Sequence, residues 1–309
     1  MSRPAVANAY LGTSEFAAEV LRALAESPHR PRLVLTPPDR RKGRGRKAGP
    51  PPVAALAEEL GLPLHQTKSV NEPGSVEALK ESGARVGVVC AFGQLIAEPL
   101  LSELPMLNIH PSLLPRWRGA APIERAIMTG DERTGVCVMR LTEGLDSGPV
   151  ALRAECEIGE RNYGELAADL SALSGELILR ALDAEAEGRL QLTEQSTDGV
   201  TYAEKIEAGD RRLDPARPAV ELARVVRALT PHIGAHLLLD EDTSLGVRAA
   251  RAIDGSLGPG EVRAEDQALL LGCSEGTLSV ERVQPSGKRE MAADDWLRGH
   301  EPPPRVPVG

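Results

Sequence analysis

The 309 residues carry 36 Lys and Arg against 45 Asp and Glu, a formal charge of −9, with 41% hydrophobic and only 2% aromatic residues. That length accommodates two domains and at least one sizeable core, built from Ala, Val, Leu and Ile rather than rings. The acidic balance excludes indiscriminate nucleic-acid binding, and no apolar run reaches the ~18–20 residues of a membrane-spanning helix.

Taken in chain order, the first two thirds alternate strands and helices, which predicts an α/β domain with a mostly parallel sheet. Ala5 to Leu11 reads as a weak first strand. Ser14 can cap a helix running to about Ser27, with Phe16, Val20, Leu21 and Leu24 at helical spacing. Arg32 to Thr36 reads as a second strand, followed by a long Pro/Gly/Arg loop and helices over about Pro52 to Leu60 and Val76 to Glu81. Val86-Gly87-Val88-Val89-Cys90 is a continuous apolar run suited to a strand covered on both faces. Met106 to His110 ends a short buried strand, Ala120 to Met128 is helical, Gly135 to Leu141 is a strand, and Tyr163 to Ala186 is a long Ala/Leu-rich helix. Leu190 to Asp210 reads as a linker. Beyond it, a helix over Ala219 to Leu229 precedes short strands at 236–240, 246–253, 260–264, 268–272 and 277–283, the pattern of a small β-rich domain. The expected division is therefore 1–189, a linker at 190–210, and 211–309.

Chemistry concentrates at Asn108, His110 and Asp146. Side chains two apart in a strand share a face, so Asn108 and His110 stand together. Asp146 sits in the turn Gly144-Leu145-Asp146-Ser147-Gly148. An amide can hold a developing oxyanion, an imidazole can handle a proton, and a carboxylate can orient and charge the imidazole. Alone, a histidine at a strand end or an aspartate between glycines is ordinary loop chemistry. The ordered combination is what points to acyl transfer onto an amine, with no Ser or Cys nucleophile needed.

A second cluster is electrostatic. Between Thr36 and Ala48, Arg40, Arg41, Lys42, Arg44, Arg46 and Lys47 face a single acid, Asp39. On charge alone such a run is as readily a mobile solvated loop as an RNA contact, although guanidinium forks suit phosphates. Gly43-Arg44-Gly45-Arg46-Lys47-Ala48-Gly49 lacks the Gly-x-Gly-x-x-Gly spacing and flanking strand of a dinucleotide loop. Cys90, Cys137, Cys156 and Cys273 form no Cys-x-x-Cys pair and read as buried thiols. His232 and His236 are four apart, but Pro231 and Gly234 break the helix that would join them, so no metal site is expected.

The string Asn108-Ile109-His110-Pro111-Ser112-Leu113-Leu114-Pro115-Arg116-Trp117-Arg118-Gly119-Ala120-Ala121-Pro122-Ile123 resembles the signature of the folate-dependent formyltransferases. Gly12-Thr13-Ser14-Glu15-Phe16-Ala17, Pro38-Asp39-Arg40, Tyr202-Ala203-Glu204-Lys205-Ile206 and Gln284-Pro285-Ser286-Gly287-Lys288 are similar to other segments of that family, so the likeness spans essentially the whole chain. Departures are Ser14 and Glu15, where the family commonly has Pro and Asp, and Thr230 to His236, where it has an aromatic-rich segment.

The resemblance implies a Rossmann-like catalytic domain followed by an OB-like β-barrel that binds tRNA. It implies 10-formyltetrahydrofolate as co-substrate and no metal, with formyl passing to the α-amine of methionine on initiator tRNA. Ser112, Leu113, Leu114 and Pro115 would line the folate site, with Phe92, Gly93 and Leu95 flanking the pterin. Met1-Ser2-Arg3-Pro4 leads into no signal-type apolar region, so a cytoplasmic enzyme is expected; a monomer is the expected assembly. A nicotinamide dehydrogenase would share the α/β sheet but lacks its glycine fingerprint. A non-catalytic RNA-binding module would use the basic stretch but has no need of Asn108, His110 and Asp146.

Overall fold

The computed structural model describes residues 5–42 and 47–309. In chain order the elements are β1 (Asn8–Gly12), α1 (Glu15–Ala25), β2 (Leu33–Thr36), β3 (Arg40–Lys42), β4 (Lys47–Gly49), α2 (Pro52–Glu59), β5 (Leu64–Gln66), α3 (Pro73–Glu81), β6 (Val86–Cys90), α4 (Leu100–Glu103), β7 (Met106–His110) and β8 (Arg118–Gly119). They continue with α5 (Pro122–Thr129), β9 (Arg133–Arg140), β10 (Val150–Glu157), α6 (Tyr163–Ala186), β11 (Tyr202–Ala203), a 3-10 turn at Gly209–Arg211, and α7 (Ala219–Leu229). The last are β12 (Ala235–Leu238), β13 (Ser244–Ile253), β14 (Val262–Glu265), β15 (Ala268–Gly272), β16 (Thr277–Pro285), β17 (Met291–Ala292) and α8 (Ala293–Leu297). Two compact units result. One takes Met1–Gly119, Thr134–Cys156 and Ala167–Tyr202; the other takes Ala120–Arg133, Glu157–Leu166 and Ala203–Gly309.

In the first unit a seven-stranded sheet runs in the order β10-β9-β7-β6-β1-β2-β5. β5, β2, β1, β6 and β7 are parallel, and β9 joins β7 antiparallel. Every residue of β1, β6 and β7 is buried, as befits parallel strands covered on both faces. α1 begins where expected because the Ser14 hydroxyl accepts the Ala17 amide at 3.3 Å. Its inward stripe is Ala17, Ala18, Val20, Leu21, Leu24 and Ala25; Phe16, assigned to that stripe from its spacing, is only half-buried. The chain passes from β1 to β2 on one side and later returns to β6 on the other, so the strand order reverses between β1 and β6, the place where open α/β sheets bind ligands.

Two differences from the sequence reading stand out here. The Pro/Gly/Arg stretch expected as loop contains the antiparallel pair β3 and β4, with Arg40 opposite Gly49. β10 was not expected at all. Ala, Leu, Arg and Glu dominate it, and these favour helix; pairing with β9 overrides that preference.

In the second unit the antiparallel sheet runs β12-β13-β16-β15-β14, with β17 beside β16. α7 packs Leu222, Val225, Val226 and Leu229 into a core with Val247, Leu269, Leu271, Leu278, Val280 and Trp296. Where the resemblance implied an OB-like barrel, the strands form an open antiparallel sheet: among the described residues no pair joins β12 to β14. Each edge strand carries an isolated backbone contact to a neighbouring segment. Leu213 N donates to His236 O at 2.9 Å along β12, and Val262 N donates to Pro304 O at 3.0 Å along β14.

Cys90, Cys137 and Cys273 are buried, whereas Cys156, on the half-covered strand β10, is partly exposed, contrary to the expectation of four buried thiols. Burial pushes the Cys90 thiol up to about 12 and that of Cys273 to about 11. Among the described residues no helix is long and apolar enough to cross a membrane.

Candidate active site

β7 delivers two of the three candidate groups. Alternation along the strand puts Asn108 and His110 on one face, and Pro111 ends it directly after His110. Neighbouring strands hold the register: Val89 and Met139 flank Asn108, and Cys137 lies opposite His110. Asn108 retains 9% of its surface and His110 4%. The Asn108 amide makes no hydrogen bond among the described residues, so its N–H groups are uncommitted.

His110 is held on both ring nitrogens. Nε2–H donates to the carbonyl oxygen of Trp117 at 2.7 Å. Nδ1 stands 3.6 Å from Oδ2 of Asp146, an ion-pair distance slightly too long for a hydrogen bond. Both ring nitrogens thus face oxygen atoms, one by a hydrogen bond and one across 3.6 Å. The carboxylate is placed in turn by the backbone, for Gly119 N donates to Asp146 Oδ2 at 2.8 Å.

Trp117 has φ +64° and Asp146 φ +45°. Left-handed geometry at a non-glycine residue costs about 1–3 kcal/mol and persists only where surroundings impose it. The surroundings are specific here. Trp117 N donates to Thr201 Oγ1 at 2.9 Å. Gln195 Nε2 donates to both Asp146 O and Gly148 O at 2.8 Å, while its Oε1 accepts Arg118 Nε at 3.1 Å and Nη2 at 2.8 Å. Sequence reasoning missed Gln195, Thr201 and the carbonyl of Trp117. Trp117 lies inside the quoted string, but nothing in a sequence marks a backbone oxygen as a histidine partner. Gln195 lies 49 positions beyond Asp146 in a polar segment without periodicity.

The residues expected around a folate divide into three kinds. Ser112 is fully buried and its hydroxyl donates to Arg116 O at 2.6 Å. Leu114 packs with Cys137, Met139 and Val150, and Phe92 belongs to the core that includes Val89, Ile96 and Met106. Leu113 and Pro115 are half-buried, while Gly93 is exposed and Leu95 keeps 79% of its surface. The Thr13 hydroxyl donates to Phe92 O at 2.7 Å, tying the exit of β1 to the exit of β6 at the strand-order reversal.

Of the basic residues, Arg40 is exposed at the start of β3, while Arg41, Lys42 and Lys47 fall in the β3 and β4 pair. Arg44 and Arg46 lie outside the described residues. In the second unit His232 contacts Glu124 (Nε2 to Oε1, 3.0 Å) and stacks on Tyr163 at 3.6 Å between ring centroids. Burial, and then the Glu124 charge, push the Tyr163 hydroxyl up to about 12. Among the described residues no three His, Cys, Asp or Glu side chains gather as metal ligands.

A model of the "Formyl transferase" family matches residues 5–182, and one of the "Formyl transferase, C-terminal domain" matches residues 205–301. The chain belongs to the formyl transferase family. Similar members include the methionyl-tRNA formyltransferases of Methylobacterium sp. (42% identical, over 94% of this chain and 95% of that one) and Methylococcus capsulatus (43%, over 94% and 96%). Among solved structures, the formyltransferase fold is shared with HypX from Aquifex aeolicus in complex with tetrahydrofolic acid (TM-score 0.64, 19% identity, 94% of this chain and 46% of that one). It is shared also with WlaRD, a sugar 3N-formyl transferase (TM-score 0.67, 12% identity, 92% and 99%).

Proposed function

We propose that this formyltransferase moves the formyl group of 10-formyltetrahydrofolate onto the α-amine of methionine carried by initiator tRNA, giving N-formylmethionyl-tRNA. One observation carries the reading. His110 at the end of β7, the strand that also carries Asn108, stands 3.6 Å from Asp146 in a chain whose near-full-length relatives bear the name methionyl-tRNA formyltransferase.

The amine attacks the formyl carbon directly, the carbonyl oxygen becomes an oxyanion, and the bond from that carbon to N10 of the folate then breaks. The uncommitted amide of Asn108 donates to the oxyanion. His110, held between the Trp117 carbonyl and Asp146, stabilises the same oxygen, charged or as a proton donor. Asp146 holds the ring and relays the proton lost by the amine through water to the departing N10. The formyl carbon is already activated and the amine is a competent nucleophile, so these groups suffice without a Lewis acid. Ser112, Leu113, Leu114, Pro115, Phe92, Gly93 and Leu95 are assigned to the folate side, the polar and buried members through the loop backbone they shape.

Residues 1–189 are taken as the catalytic portion, 190–210 as the linker and 211–309 as the tRNA-binding portion, with Arg40, Arg41, Lys42, Arg44, Arg46 and Lys47 on the acceptor end of the RNA. The protein acts as a monomer in the cytoplasm. The test is an incubation with formyl-labelled 10-formyltetrahydrofolate and aminoacylated tRNAs. Label on initiator Met-tRNA and none on the elongator supports the reading; RNA retention without transfer would leave a binding module and end it.

A further inference from the structure

We propose that residues 195–201 form a strap that positions both partners of His110, with Gln195 and Thr201 as its two positioning residues. The proposal rests on the reading of the site given above. His110 has one partner per ring nitrogen, and each belongs to a residue in a disfavoured left-handed conformation, Trp117 and Asp146. Both are gripped from the same short segment. Thr201 Oγ1 takes the amide of Trp117. Gln195 uses both amide hydrogens across the Asp146-Ser147-Gly148 turn, and its oxygen takes a two-pronged bond from Arg118, the neighbour of Trp117. One side chain therefore ties the two flanks of the imidazole together.

The strap is not there to fill a core. Residues 191–194 and 196–199 are exposed, and Gln195 and Thr201 are half-buried. It is anchored upstream by the mutual backbone bonds of Val150 and Thr193, at 2.8 and 2.9 Å. A segment with so little apolar burial contributes little to stability. Its hydrogen bonds converge instead on the geometry around His110, and misplacing a catalytic group by about 1 Å can cost about a hundredfold in rate.

Gln195→Glu is the informative variant. A carboxylate keeps the bond from Arg118 and so keeps the strap anchored, but it cannot donate to Asp146 O or Gly148 O. Thr201→Val removes the acceptor for Trp117 N, and Thr201→Ser retains it. The expected result is a kcat lowered about tenfold to a hundredfold in Gln195→Glu and Thr201→Val, with KM for both substrates nearly unchanged and Thr201→Ser at the normal rate. In an Asp146→Asn background Gln195→Glu should cause no further loss, because it acts through that carboxylate. The ring 15N resonances of His110, one of only six histidines, should move in both damaging variants of the substrate-free protein.

Full rates in both variants, equal losses with and without Asp146, or unmoved His110 resonances would each overturn the strap. The resonance measurement needs no substrate. It therefore separates failure of the strap from failure of the formyl-transfer reading, which shows as absence of transfer by the unaltered protein.

Discussion

The backbone nitrogen of Gly119 lies 2.8 Å from Oδ2 of Asp146, the same oxygen that stands 3.6 Å from Nδ1 of His110. A main-chain donor thus aims a carboxylate whose own residue sits at positive φ. Main-chain donors cannot rotate away, so this placement is stiffer than a side-chain bond would be, and catalytic geometry gains from such stiffness.

Asn108→Ala removes an amide that, among the described residues, makes no hydrogen bond and shares a strand face with His110. We expect kcat for formyl transfer to fall by about 10²–10³, the usual cost of losing one oxyanion donor, with the melting transition preserved. Near-normal turnover in a calorimetrically folded variant would remove Asn108 from the reaction.

Asp146→Asn tests charge separately from shape. The amide oxygen can still accept from Gly119 N, so the turn should persist, but the negative charge facing His110 is gone. A fall of about 10²–10⁴ in kcat is expected, with KM much less affected. Steady-state kinetics on both substrates measure the split, and equal rates for the two proteins would contradict the role.

Gly148 admits no side chain. A Cβ there would lie 1.9 Å from the carbonyl oxygen of Arg140 and 3.1 Å from Cγ2 of Thr142. Gly148→Ala must therefore displace the Asp146 turn from β9. It should cost about 1–3 kcal/mol in chemical denaturation and lower kcat as well. Retained stability would mean that the turn can shift freely.

Asp210 offers a pH test in the second unit. Its hydrogen bond from Arg125, at 2.9 and 2.8 Å to its two oxygens, holds its carboxyl below the usual carboxylate range, opposed by partial burial. A depressed folded value stabilises the fold above the unfolded carboxylate pKa of about 3.9, and this contribution is lost as pH falls through the lower folded value. Melting temperature followed downward from pH 6 should drop more steeply in the unaltered protein than in Asp210→Asn. Superimposable curves would show that the pair contributes nothing.

Salt dependence addresses the basic stretch. If Arg40, Arg44 and Arg46 contact phosphates, affinity for tRNA should weaken steeply with ionic strength. Each neutralised contact should reduce the log–log slope by about one and leave folate affinity unchanged. A slope indifferent to these substitutions would place the RNA elsewhere.

Sequence alone determined the elements whose signal is local. The apolar run Val86–Cys90 and the helices Tyr163–Ala186 and Ala219–Leu229 have the bounds their periodicity predicts, because a helical or buried-strand face is written into consecutive residues. Asn108, His110 and Asp146 stood out as candidates for a different reason: reactive side chains in an ordered string draw attention by type, and the structure brings His110 and Asp146 to 3.6 Å. Tertiary structure alone decided the rest. β10 exists because β9 offers it an edge. The order β12-β13-β16-β15-β14, with no β12–β14 pair among the described residues, is set by which strands meet in space. His110 is held by the carbonyl of Trp117, and Asp146 by Gln195, through contacts that join positions far apart or use backbone atoms common to every residue. Such bonds leave no trace in periodicity or composition, since what selects them is proximity, and proximity arises only when the chain has folded.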